Sequence, residues 1–159
     1  MLLVVAAVGC SGKEEQAVYR QFQKHKNEIV QMQETERLIF KEGEGNETIL
    51  IVRYLPRESK TEERFLVMGT PATVVDMKTL ALSRAGGKKP LKIARISSQD
   101  LPEDLRGIVP GWFVDYRLFY PKNSRNKFPV DFTVKGETKT LFFYKGPKYL
   151  IDRKSSVFK

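Results

Sequence analysis

One cysteine, one histidine and one tryptophan in 159 residues set narrow limits on what this chain can do. A single cysteine excludes an intrachain disulfide and a thiolate metal cluster. With one histidine, His25, a serine triad has no base in a strand-to-helix elbow. No apolar run approaches the ~20 residues that a membrane-crossing helix needs. No set of ligand-type residues has metal-binding spacing. The phosphate-loop pattern is missing too. Arg84-Ala85-Gly86-Gly87-Lys88-Lys89-Pro90 has glycines and lysines, but Pro90 stands where Ser or Thr is required and a strand follows. No cofactor and no metal are expected, and the chain reads as a non-enzyme.

What is there is the composition of a globular domain, 41% hydrophobic and 30% charged. A chain of this length buries roughly 68–70% of the surface that it exposes when unfolded, so its core needs no staple. The net charge of +9 is unevenly spread. Residues 1–50 hold six Lys and Arg against eight Glu, net −2, and residues 51–159 hold 22 against 11 acidic residues, net +11. A basic body follows a mildly acidic stem. Such a body suits anionic partners, or solubility alone.

The first residues, Leu2 to Val8, are apolar, and Gly9, Cys10, Ser11 and Gly12 separate them from Lys13-Glu14-Glu15. The run is too short to span a bilayer and lacks the alternation of a half-buried strand. An apolar stretch ending in small residues before a polar chain has the layout of a secretory signal. Ala7-Val8-Gly9-Cys10 resembles the lipobox of bacterial lipoproteins. The resemblance implies a diacylglycerol on the Cys10 thiol, cleavage just before Cys10 and acylation of the new amine. Several acyl chains together anchor a protein stably, which one does not. Ser11 resembles the outer-membrane sorting class. The expected location is the bacterial cell envelope, at the outer membrane. No Lys or Arg precedes the apolar run, so the signal over 1–9 is expected to be truncated at its start.

Residues 10–33 read as the lipid anchor and a helical stem, rich in Glu, Gln and Lys. Val18, Phe22, His25, Ile29 and Met32 are spaced 4, 3, 4, 3 and share one helix face. His25 lies on that stripe and reads as a packed helix residue.

From residue 34 onward the pattern becomes short apolar runs broken by turn residues. Strands are expected at 36–42, 47–55, 63–69, 91–96, 112–120, 129–134, 139–145 and 148–151, with a hairpin turn at 43–46. Val114, Tyr116, Leu118 and Tyr120 share one face, as do Val130, Phe132 and Val134. All eight prolines fall at or beside these strand ends, where a missing amide hydrogen costs least. Residues 72–83 fit a strand pair or a helix. Residues 97–107 read as a loop with one helical turn, capped by Asp100 before Pro102. The expected fold is mostly β: one immunoglobulin-like β-sandwich over 34–159, preceded by an N-terminal helix, with a small barrel as the alternative.

Two basic clusters stand out as candidate contacts for an anionic partner: Arg84, Lys88, Lys89, Lys92 and Arg95, and then Lys122, Arg125 and Lys127. The first begins in a segment read as a mobile basic hairpin loop. The second lies between aromatic strands, and the alternative reading is an intracellular basic domain that neutralises and stacks a nucleic acid through the 84–95 and 122–127 loops. An exported lipoprotein rarely meets nucleic acid. An anionic membrane or glycan surface, or an envelope protein, fits that location better. Solvated loops that keep a sheet from pairing edge to edge give the same charges no partner at all. Asp100, Glu103 and Asp104 read as loop solvation rather than a catalytic pair. Trp112 reads as a core anchor, with a rim aromatic of a binding site as the alternative. Asn46-Glu47-Thr48 in the hairpin turn fits a glycosylation acceptor, and Glu44 two positions earlier extends the resemblance to a bacterial sequon.

Overall fold

The computed structural model describes residues 34–43 and 45–148, together with Arg20. Cys10, His25, the signal and the stem, and residues 149–151 of the last expected strand, lie outside the described residues. Among the described residues eight strands are formed: β1 (Thr35–Glu42), β2 (Asn46–Tyr54), β3 (Glu62–Thr70), β4 (Arg84–Ala85), β5 (Lys92–Ile96), β6 (Val114–Pro121), β7 (Lys127–Val134) and β8 (Glu137–Tyr144). Helix α1 (Met77–Ala81) precedes β4. A 3-10 turn (Ser98–Asp100) and helix α2 (Glu103–Arg106) join β5 to β6.

Every pairing is antiparallel. One sheet has the order β1-β2-β3-β6-β5 and the other β4-β7-β8. With β1 set aside, β2-β3-β6-β5 over β4-β7-β8 is the A-B-E-D over C-F-G order of an immunoglobulin constant-type sandwich. β1 is an additional strand outside A. The disulfide and buried strand-C tryptophan of antibody domains are missing, and aromatic packing fills their place.

Period-two alternation builds the core. Val114, Tyr116, Leu118 and Tyr120 of β6 face Phe128, Val130, Phe132 and Val134 of β7 across the sandwich. Tyr54 and Phe65 from the large sheet meet Phe128 and Phe143 from the small one, with the Phe65 and Phe143 ring centres 5.1 Å apart and those of Tyr54 and Phe128 5.6 Å apart. Each such pair contributes about 0.5–1.5 kcal/mol beyond its buried area.

A second apolar layer lies outside the large sheet. Residues 97–113 fold back across it, and Leu101 and Leu105 pack on Leu66 and Met68, with Ile96, Val109 and Phe113 around them. β3 is therefore buried on both faces, as its unbroken Phe65-Leu66-Val67-Met68 run requires. The Arg53 guanidinium, nearly buried, holds α2 to β2 through Asp104 at 2.7 Å.

Three local expectations are corrected. Asp100 does not cap the helix after Pro102; its carboxylate accepts from the Ser97 amide, the Ser97 hydroxyl accepts from Gln99, and Pro102 enters α2 with no side-chain cap. Trp112 is not a core anchor but 70% exposed. The Pro110 carbonyl accepts from the Phe113 amide, so a turn delays β6 to Val114 and Phe113 packs inward instead. The proline at 129 lies inside β7, which begins two residues earlier than expected. The 72–83 segment resolves as helix at 77–81, because the Asp76 carboxylate accepts from the Thr79 amide at 2.8 Å.

Candidate functional site

Register decides which loops share an end. Glu62 opposes Pro121, Lys92 opposes Phe119 and Lys127 opposes Tyr144. The β2–β3, β4–β5 and β6–β7 connections therefore emerge together. The two basic clusters of the sequence meet here. Gly86 lies so close to Asn123 that a Cβ on it would stand 2.1 Å from the Asn123 amide nitrogen.

The segment read as a mobile loop is a tight hairpin. Ala85 and Lys88 exchange backbone hydrogen bonds of 3.0 and 3.1 Å around Gly86 and Gly87, whose φ values are +57° and +79°. Two consecutive positive φ angles match the twist of the flanking strands, and glycine adopts them without steric cost. Lys88 and Lys89 are carried outward on this turn and are exposed.

The eight predicted cations do not act as one group. Arg84 is spent locally, its Nη1 donating to the carbonyls of Ala81, Leu82 and Ser83 at the end of α1. Lys122 is turned inward, donating to the carbonyls of Ser59 and Glu62 and to Glu63. Arg95 lies three positions along β5 from Lys92, roughly 10 Å away from the loops, beside Asp115. Lys88, Lys89, Lys92, Arg125 and Lys127 remain exposed at the loop end. Lys92 stands over the Phe119 ring at 5.6 Å and Lys127 over Phe142 and Tyr144 at 5.3 and 5.2 Å. Lys88, Lys89, Lys92 and Arg125 have no carboxylate partner among the described residues. Arg57 and Lys60, which sequence reasoning passed over, are exposed on the β2–β3 loop at the same end. Their signal was available: PRESKTE is a polar loop leading into a strand that pairs with the one before the second cluster.

A buried carboxylate supports this surface from beneath. Glu63 is fully buried. Its Oε2 accepts from the Tyr54 hydroxyl at 2.5 Å and from Lys122 at 3.4 Å, and its Oε1 from the Asn123 amide at 2.9 Å and from Lys145 at 2.7 Å. Burial alone would push its pKa up. The hydrogen bonds from Lys145, Tyr54 and Asn123 outweigh burial and hold it below the usual carboxylate value. The loop that carries Arg125 is thereby fixed to β3 at Asn123, and Lys145 also donates to the Asn123 carbonyl. Tyr54, Glu63, Asn123 and Lys145 are positioning residues that the sequence reading missed.

The remaining candidates lie elsewhere. Asn46, exposed, opens β2 beside the β1–β2 turn at the opposite end of the sandwich. Asp100 is committed to Ser97 and Asp104 to Arg53, so with Glu103 they form no convergent acid pair. Among the described residues no cluster of His, Cys, Asp and Glu could hold a metal ion, and no helix is long and apolar enough to cross a membrane. Comparison of the chain with protein-family models, with curated proteins and with solved structures finds no match to any of them.

Proposed function

We propose that this chain is a cell-envelope lipoprotein, anchored through Cys10 at the outer membrane, whose sandwich binds an anionic surface through the end formed by Lys88, Lys89, Lys92, Arg125 and Lys127. Its work is binding or scaffolding. The observation that carries this reading is the polarity of the sandwich. Thr35, where the chain enters β1, opposes Arg53, next to Tyr54 and the β2–β3 loop. The entry point and the exposed cations therefore occupy the same end, and 24 residues separate Thr35 from Cys10. The amino-terminal end of the sandwich is therefore also its basic end. Each Lys or Arg brought near an anionic leaflet contributes about 1 kcal/mol, an interaction that fades within a Debye length. The exposed Asn46 at the other end is then the part accessible to a modifying enzyme.

The anchor is tested by the mass of the amino-terminal peptide recovered from the membrane fraction of an expressing bacterium. A peptide beginning at Cys10 with added acyl chains is expected, together with release of the Cys10→Ser variant into the soluble fraction. A soluble wild-type product with an unmodified Cys10 would refute it.

A further inference from the structure

Away from the basic end, a cavity of about 280 Å³ opens between the 97–113 connection and the outer face of β6. Leu101, Val109, Pro110 and Phe113 give it apolar walls, Ser98 and Gln99 add polar groups, and Arg106 also lines it, with Nε committed to the Leu101 carbonyl at 2.7 Å. From the sheet side the cavity meets Asp115. This side chain is only 4% exposed, and its Oδ1 is buried with no hydrogen-bond partner. A buried acceptor without a donor is costly, and native structures retain few of them. The same alternation that sends Val114 and Tyr116 into the core sends Asp115 outward, where residues 97–113 cover it. Arg95 acts on its charge without donating a hydrogen bond to Oδ1, so that oxygen lacks a donor.

We propose that this cavity binds a small primary amine with an apolar body, its ammonium group donating to Asp115. The chemistry narrows the ligand class. An anion would face the carboxylate, and one carboxylate cannot hold a metal ion in the absence of further ligands. A hydrocarbon alone would leave the carboxylate without a donor, whereas an ammonium supplies one once the buried Asp115 side chain turns toward it, while its chain covers Leu101, Val109 and Phe113. Arg106 in the lining and Arg95 near the carboxylate disfavour a second positive charge, so a monoamine is preferred to a diamine. This assignment is independent of the anchor and of the basic end.

The only tryptophan, Trp112, lies between lining residues Gly111 and Phe113 and is exposed, which makes its fluorescence a reporter. The soluble Cys10→Ser chain is titrated with hexylamine, 1-hexanol and 1,6-diaminohexane, following Trp112 emission and the heat of binding. Hexylamine is expected to bind about 10- to 100-fold more tightly than hexanol, the factor for a hydrogen bond to a charged group, and more tightly than the diamine. Asp115→Asn is expected to remove the preference for amine over alcohol while keeping the fold, read from its melting curve. Equal affinity of wild type for hexylamine and hexanol, or no saturable binding of hexylamine, would overturn the proposal. So would an amine preference that survives in Asp115→Asn. The amine-to-alcohol comparison on wild type decides the matter even if the variant fails to fold.

Discussion

Two buried carboxylates carry opposite energetics. Glu63 has a donor on each oxygen, and removing its charge leaves Lys122 and Lys145 facing a neutral amide. Breaking a buried pair from one side costs about 3–5 kcal/mol. Glu63→Gln is expected to lose that much in urea unfolding, with an unchanged m-value. Because its folded pKa lies below the unfolded one, the contribution is fully present above about pH 4.5 and is lost as pH falls through the folded value. Wild type should therefore show an acid loss of stability that Glu63→Gln lacks, visible in melting curves between pH 5 and pH 2. Asp115 runs the other way. Burial, only partly countered by Arg95, raises its pKa, so ionisation costs stability as pH rises from the unfolded value through the folded one. Asp115→Asn is expected to stabilise the empty protein at pH 7 by about 1 kcal/mol, or about 2–4 °C in Tm. An unchanged or lowered Tm would mean that the carboxylate is satisfied in solution.

At the scale of elements, the strands were legible because alternation and turn residues coincide, and seven of the expected strands begin and end within two residues of where they form. The hairpin at β1–β2 follows from glycines that accept φ of +62° and +93°. What was not legible was the cover. ERFLVMG alternates only in its first half, and its continuous Leu-Val-Met run signals burial on both faces. Yet nothing local says that SSQDLPEDLRG supplies the second one. Glu63 is two residues before Phe65 and so faces inward, a charge on the buried face. Its partner Lys145 is 82 positions away, where no spacing argument reaches. The cations failed as a group for two reasons: Arg84 is consumed by carbonyls just before it at the end of α1, and Lys122 by carbonyls and a carboxylate that only the fold brings close.

Two substitutions probe these elements. At Gly69 a Cβ would lie 2.4 Å from Val75 Cγ1, where the chain returns across β3. Gly69→Ala is therefore expected to cost about 1–3 kcal/mol, measured by chemical denaturation. Leu105→Ala empties the second apolar layer and should cost about 2–5 kcal/mol. In hydrogen exchange it should expose the amides of 101–109 before those of β7, whose inward side chains lie in the other core. Uniform acceleration across both sheets would show the two layers to be one cooperative unit.

Across the whole molecule, charge and topology coincide. The chain enters β1 at the end where the β4–β5 and β6–β7 loops gather exposed cations, and those cations are thereby given a direction. Direction, rather than charge alone, is the central claim. The deciding measurement is co-sedimentation of the soluble Cys10→Ser chain with vesicles of anionic and of zwitterionic lipid, comparing Lys89→Glu at the basic end with Lys41→Glu near the β1–β2 turn. Both lysines are exposed and both substitutions change the charge equally. The account predicts binding to anionic vesicles only, weakened by salt, reduced about tenfold or more by Lys89→Glu and little by Lys41→Glu. Equal loss from both, or no preference for anionic vesicles, would contradict it.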